Sequence, residues 1–535
     1  MLRIDNLKLK PPIEGDEKDA LLKKVSKKLN LKPVFFRNFK IIRRSLDARK
    51  KNNIFYVYSV CFSLFLPEQD IEALLKNKKN DLKLYDPAIY EPEKGFKHQG
   101  KLRPVIAGCG PAGLFAALVL TRAGFDPLII ERGASMEERI ALTEEFKLTG
   151  KLDPETNIQF GEGGAGTFSD GKLFSHLHDR KGTMDFILRT FVKYGADEDI
   201  LYDAKPHIGT DVLRKVIVNM REDLKSMGAE FRFKTALVKP LACGGKLSGI
   251  CLRDKEGRLS ELECRSLILA TGHSSRDTFL NLHDSGVHME SKPFAAGFRF
   301  IHPQALIDEA QYGVDYALLK LPPADYKLVY HAKSGRAVYS FCMCPGGIVI
   351  NASSIKGSLA VNGMSLKARD SGYANSAIVA AVDESDYGSG LFDGMLFQEM
   401  LEKKAFEAGA GKIPAERFVD FEKNTGLPDN IKTEGIWPYR VSDMSALYPE
   451  NINTDIKEAV KYFGSIIKGF DGSEAVMAGV ETRTSSPLRI PRNERSECNI
   501  KGLYPCGEGA GYAGGITSAA ADGMKVANNL IMNYN

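Results

Sequence analysis

The apolar positions of the first 85 residues change period several times. Leu2–Leu9 alternates as a strand does, and residues 19–30 then place Leu21, Leu22, Val25 and Leu29 at helical spacing. Alternation resumes over 39–46 and 54–66, on either side of the polar turn Lys50-Lys51-Asn52-Asn53, which predicts a strand pair. Residues 71–77 predict a short helix and 81–85 a last strand. The order is βαββαβ, a small α+β module over 1–85. A polar stretch with proline and glycine follows, and 86–103 reads as a linker.

Beyond it the pattern becomes strand, turn, helix and strand, with a glycine-rich loop at 161–171, a helix at 211–227 and a β region ending at 268. Residues 286–480 mix strand and helix periods, and the chain ends in a glycine-rich turn and a helix. No apolar run approaches the roughly 20 residues of a membrane span. The longest, 57–67, contains two serines, and the N-terminus lacks the apolar core of a secretory leader. A cytoplasmic protein that does not enter a membrane is expected. The nine cysteines show no metal-ligand spacing, so no metal centre is expected.

The deciding motif is Val105-Ile-Ala-Gly108-Cys-Gly110-Pro111-Ala112-Gly113, followed by an apolar helix and by Leu128-Ile-Ile-Glu131-Arg132. A bare GxGxxG is weak, but here an apolar strand precedes it and a second strand ends in an acid. Gly108 permits the tight turn, Gly110 lets backbone approach a pyrophosphate, and Gly113 lets helix and strand pack closely. The helix N-terminus offers free amides and the positive end of its dipole to phosphate. Glu131 is expected to accept ribose hydroxyls and to disfavour a 2′-phosphate.

Two further segments separate FAD from NAD. An apolar strand ends in Ala270-Thr271-Gly272, and Cys506-Gly507-Glu508 leads through Gly514, Gly515 and Ile516 into a small-residue helix. The second resembles the C-terminal flavin motif of two-dinucleotide flavoproteins, in which an acid holds the ribityl hydroxyls. The expected fold is therefore α/β. It comprises an FAD-binding Rossmann-type domain (104–285 and 481–535), an inserted mixed α/β substrate domain (286–480) and a ferredoxin-like N-terminal module.

The chain resembles the uncharacterised FAD-dependent dehydrogenases, also called NAD(P)/FAD-dependent oxidoreductases, of the glutathione-reductase superfamily. The resemblance covers nearly the whole chain. Its marks include the segment from Gly161 to Lys172, Lys292-Pro-Phe-Ala, His302-Pro-Gln304, Phe341-Cys-Met-Cys-Pro-Gly-Gly347, Asn362-Gly-Met-Ser365 and Glu481-Thr-Arg-Thr-Ser-Ser-Pro487. Ile301 stands where the family pattern carries an acid. The resemblance implies the cofactor and the class of chemistry, not a substrate.

Gly161-Glu-Gly163-Gly164-Ala-Gly166-Thr167 spells a second GxGxxG, but a polar segment precedes it and no helix or acid follows. It is expected to pass beneath the pyrophosphate and flavin, its glycines allowing close approach. Any nicotinamide would then dock transiently in the flavin cleft. Catalytic candidates are Arg483, as a carboxylate clamp, a positive group near the reduced flavin or a structural ion pair, and His302 and His273 as proton donors. Cys342 and Cys344 share a strand face, within reach of one another or of the flavin, and read as buried and inert. An FAD-dependent oxidoreductase passing hydride between flavin and a small organic substrate or NAD(P)H is expected.

Charge adds one alternative. Residues 1–103 carry 24 lysines and arginines against 13 acids, in a chain of net charge +5. A flavoenzyme gripping RNA through its basic first module stays open, as does a non-catalytic FAD-binding protein.

Overall fold

The computed structural model describes residues 1–92, 102–174, 179, 181–427 and 430–533. Residues 93–101 of the expected linker lie outside the described residues. Strands Leu2–Leu9, Phe36–Asp47, Phe55–Leu64 and Leu82–Leu84 pair antiparallel, in the order second, third, first, fourth. With helices Glu17–Leu29 and Glu68–Lys76 this is the ferredoxin-like arrangement. The first helix starts where the Asp16 carboxylate accepts the Lys18 and Asp19 amides, and stops at Asn30 in the left-handed region. Its Leu21, Val25 and Leu29 are buried in one cluster with Tyr58, Val60 and Phe62.

The module is tied to the rest of the chain. The Arg44 guanidinium donates to both oxygens of Asp203, at 2.6 and 3.0 Å, and to Glu17 at 3.2 Å. The Arg44 amide and carbonyl also pair with Tyr202 and Ala204. Ile54 is buried in the large core of the inserted region.

Five short strands form the central parallel sheet, in the order Leu503–Pro505, Leu267–Leu269, Val105–Ala107, Leu128–Ile130, Glu230–Arg232. Its edge strand thus comes from the far end of the chain. Helices Pro111–Arg122 and Ile516–Asn533 share a core with the sheet and pack on each other through small residues: a Cβ on Gly523 would lie 2.1 Å from the Ala112 carbonyl oxygen. Helices Met136–Thr149 and Thr183–Lys193, which are not among the elements expected from the sequence, also belong to this region.

The middle of the chain builds a seven-stranded mixed sheet. Phe294–Pro303 lies at its centre between Tyr373–Val382 and Val476–Glu481, and Ala337–Cys344 follows Tyr373–Val382. The face of this sheet and the surrounding helices bury the largest core. Among the described residues, no helix is long and apolar enough to cross a membrane.

Gly523→Ala places a methyl against backbone that cannot move aside. It is expected to lower stability by about 1–3 kcal/mol, read as a lower urea midpoint; an unchanged midpoint would contradict the close contact.

Candidate functional site

The turn after Val105–Ala107 is shaped by backbone contact. Gly108 has φ +107°, and a Cβ there would lie 2.2 Å from the Ala270 carbonyl oxygen. Gly113 sits beneath the turn, its Cβ position 2.0 Å from the Gly108 carbonyl oxygen. The loop at 161–166 lies against the same turn. Gly163 donates to the Cys109 carbonyl at 2.8 Å, and a Cβ on Gly164 would lie 3.1 Å from Gly110 Cα. On its other side, a Cβ on Gly166 would lie 2.9 Å from Ile516 Cγ1, at the start of the C-terminal helix. One loop therefore fills the space between two helix N-termini. It ends in a single 3₁₀ turn, Ala165–Phe168, so it is no second nucleotide fold.

These elements line one cleft of about 400 Å³. Gly108, Gly110, Pro111, Ala112, Glu131 and Arg132 form one end of its wall. Gly164 and Gly166, then Ala270, Thr271 and Gly272, then Gly507, Glu508, Gly514, Gly515 and Ile516 line it further along. Gly113, Gly163 and Thr167 do not reach it. Thr167 instead donates to the Gly164 carbonyl at 2.7 Å and accepts from Arg139. No atom lies within 4 Å of a Cβ built on Gly514, so the space before the C-terminal helix is open. The first intrahelical bond there runs from Ala519 to Gly515 and the Gly514 amide donates to Ser518 Oγ at 3.3 Å, so the amides of Ile516, Thr517 and Ser518 have no partner within the helix.

Glu131 is buried. Its carboxylate accepts the Cys109 and Gly133 amides at 2.9 Å and the Gly161 amide at 3.0 Å. A carboxylate offers about four lone-pair sites, so one remains for a ribose hydroxyl. Arg132 pairs with Glu155 and Asp277 and stacks over Phe160 at 4.3 Å.

The far end of the cleft gathers charged groups from distant segments. Arg483 lines it, yet its guanidinium is engaged with Glu402 at 2.9 and 3.0 Å, Ser354 at 2.6 Å and Ser274 at 3.2 Å. Arg276 grips the same buried carboxylate. Burial opposes the charge of Glu402, but these two guanidinium groups hold it well below the usual carboxylate range. Of the roles expected for Arg483, the geometry shows the structural ion pair.

His273 lines the cleft with Nδ1 3.8 Å from Glu508 Oε1 and Nε2 without a hydrogen-bond partner. Burial, with Arg483 and Arg276 nearby, pushes it down to about 3, so its ring is neutral near pH 7. Burial raises Glu508 to about 7, against the pull of Lys292. The group poised to exchange a proton near neutrality is thus Glu508. His302 does not reach the cleft. It is buried in the seven-stranded sheet, bonded through Nε2 to the Phe470 carbonyl at 2.8 Å, and burial lowers it to about 4. Its place is structural.

The sequence reading missed Arg139. Fully buried, it donates to the carbonyls of Asn157, Ile158, Glu162 and Gly164, stitching the glycine loop into shape. An arginine within the charged sequence of helix Met136–Thr149 gives no signal of this. Cys342, read as buried and inert, is half-buried and stands on the cleft wall, while Cys344 lies fully buried behind it.

A family profile described as "FAD-dependent protein, C-terminal domain-like" matches residues 293–484, and a domain of unknown function matches residues 1–63. An uncharacterized protein of Clostridium beijerinckii is 43% identical over 545 residues, spanning 100% of this chain and 99% of that protein. The chain belongs to this family of FAD-dependent proteins. Its cofactor is FAD. The open amides and the glycine-lined wall fit such a dinucleotide.

Distant similarity extends to glycine oxidase from Bacillus cereus, 12% identical over 81% of this chain and 96% of that one, with a TM-score of 0.32. Glycerol-3-phosphate dehydrogenase from Bacillus halodurans, complexed with FAD, is 11% identical over 81% of this chain and 64% of its own, with a TM-score of 0.35.

Two outcomes are expected. Glu402→Gln leaves two buried guanidinium groups underpaired and should cost about 3–5 kcal/mol in chemical denaturation. Glu508, raised above its ordinary value of 4.5, contributes stability that is whole below about pH 4.5 and lost as pH rises through about 7. Without flavin, Glu508→Gln should therefore gain stability relative to wild type as pH rises through that window. A constant difference between the two would contradict the raised value.

Proposed function

We propose that FAD lies extended along the cleft and that the protein is an oxidoreductase passing hydride between this flavin and a small organic substrate or NAD(P)H. The observation that carries the reading is the meeting of two helix N-termini, from opposite ends of the sequence, on one cleft wall. The amides after Gly110 and Gly515 would hold the diphosphate. Glu131 would take an adenosine ribose hydroxyl with its remaining lone pair, and Glu508 would meet the ribityl chain. A bound flavin supplies the electron-pair chemistry.

The protein's own groups then orient the cofactor and manage protons. Glu508 holds its proton to about pH 7 and, with neutral His273 3.8 Å away, can donate or accept one near neutrality. Phe341, Cys342, Val361 and Asn362 wall the end where a substrate would approach. The five-stranded sheet is the one parallel sheet of dinucleotide-binding type among the described residues. A nicotinamide nucleotide would therefore react from within this cleft rather than from a domain of its own.

Glu131→Ala should weaken FAD binding about 10- to 100-fold, the loss of a charge-assisted hydrogen bond, measured by flavin fluorescence on titration. Anaerobic mixing of the flavin-containing protein with NADH and NADPH in parallel tests the reaction. Bleaching of the visible flavin absorbance by at least one is expected. A flavin that dithionite reduces and neither nucleotide does would overturn the nicotinamide-linked reading.

A further inference from the structure

Where Phe341 and Asn362 wall the cleft, the nearby carboxylates are already engaged. Glu481 gives both oxygens to Arg299, at 2.9 and 3.0 Å. Asn362 Oδ1 accepts Arg299 Nη2 at 3.3 Å and the Gly363 amide at 2.8 Å, which fixes the orientation of its side chain. Asn362 lines the cleft, and its Nδ2 has no acceptor among the described residues. Strand Ala337–Cys344 bulges between Phe341 and Cys344, with Cys342 on the cleft wall and Cys344 behind it. The Cys344 sulfur lies 3.8 Å from Lys172 Nζ, and a Cβ on Gly363, next to Asn362, would lie 2.7 Å from the same sulfur. Lys172 and Asn362 therefore flank one point of the wall.

Lys172 is the cation there. Its ammonium lies 2.9 Å from Asp170 Oδ2, the same oxygen accepts Arg369 at 2.6 Å, and Oδ1 takes the Ser365 hydroxyl. One carboxylate, 1% exposed, thus serves two cations: Lys172, 37% exposed, lines the cleft, and Arg369 stands behind. His207 Nδ1, 3.7 Å from Asp170, adds no charge, since burial and then Arg369 push its ring down to about 4. Burial opposes the Lys172 charge, but Asp170 holds it above the ordinary lysine value. The neighbouring networks balance, Arg299 against Glu481, and Arg276 with Arg483 against Glu402 with Glu399. One positive charge is left over on the Asp170 cluster, and Lys172 presents it to the cleft. Part-buried charge without compensation is costly until an anion meets it. An ammonium has three donors, of which Asp170 takes one.

We propose that the small organic substrate of this cleft is a carboxylate, its anionic end held by Lys172 Nζ and Asn362 Nδ2 and its apolar body set against Phe341 and Val361. This rests on the reading of the cleft as the flavin site. The two oxygens of a carboxylate match the two donors, and its charge cancels the excess. A neutral amide of the same shape would leave that excess in place. The protein itself holds one rival. The hydrogen bond with Cys344 lowers the Cys342 thiol from its ordinary value, against burial, and a thiolate there would meet the same charge.

Isothermal titration of the flavin-containing protein with acetate, isobutyrate and benzoate, each beside its primary amide, tests the proposal, with flavin absorbance recorded in parallel. At least one acid is expected to bind saturably, to perturb the flavin spectrum, and to exceed its amide about 10-fold or more in affinity, the size of one charge-assisted hydrogen bond. Lys172→Met should close that gap between acid and amide while flavin content stays that of wild type. Acids that bind no better than their amides, or a gap that survives Lys172→Met, would overturn the proposal. So would a Cys342→Ser variant that binds the acid about 10-fold more tightly, because the charge would then belong to the thiolate. The wild-type comparison decides even if a variant fails to fold. Protein that takes up no flavin would bring down the cofactor reading, and this proposal with it; flavin-bearing protein indifferent to every acid overturns the proposal alone.

Discussion

Two stretches of backbone, about 400 residues apart in the chain, must come together with no side chain between them. Helix Ile516–Asn533 reaches helix Pro111–Arg122 at Gly523, and the loop carrying Gly164 and Gly166 fits between their N-termini. At Gly523 only hydrogen leaves room for that approach. Once it is made, two sets of unsatisfied helix amides face one cleft, and an anionic group is the natural partner for both dipoles. The parallel sheet, whose edge strand is Leu503–Pro505, follows from the same closure.

Around this backbone core, buried ion networks fix the other end of the cleft. Glu402 joins Arg276 to Arg483, Glu481 holds Arg299, and Asp170 gathers Lys172 and Arg369. Each network ties segments far apart in sequence, so the inserted region and the dinucleotide-binding region are held in register at the site itself. Buried charges of this kind are poor evidence of stability but strong constraints on geometry, since an uncompensated partner is costly. The wall that faces a substrate is thereby rigid in its charges. Glu508 lines the same end of the cleft, with His273 Nδ1 3.8 Å from its carboxylate.

The parts legible in the sequence are those whose constraint is local. Gly108, Gly110 and Gly113 read correctly as a turn because their neighbours in the chain supply the strand and helix that explain them. The N-terminal βαββαβ order was visible for the same reason, since alternation and helical spacing each bury one face. Arg139, Glu402 and the bulge at Cys342 were not legible. Their meaning depends on carbonyls and guanidinium groups contributed by other segments, and no spacing rule reports on such partners. His302 and Arg483 show the converse. Each is a chemically suggestive residue, but Phe470 engages the first and Glu402 the second.

What the paired helix N-termini bind decides how the cofactor is held. Isothermal titration of flavin-stripped protein with FAD, FMN and riboflavin tests this most directly, because only FAD carries the diphosphate that both helices would hold. The expected result is one FAD per chain, bound far more tightly than either smaller flavin. Equal affinity for FMN, or no binding of FAD, would contradict it.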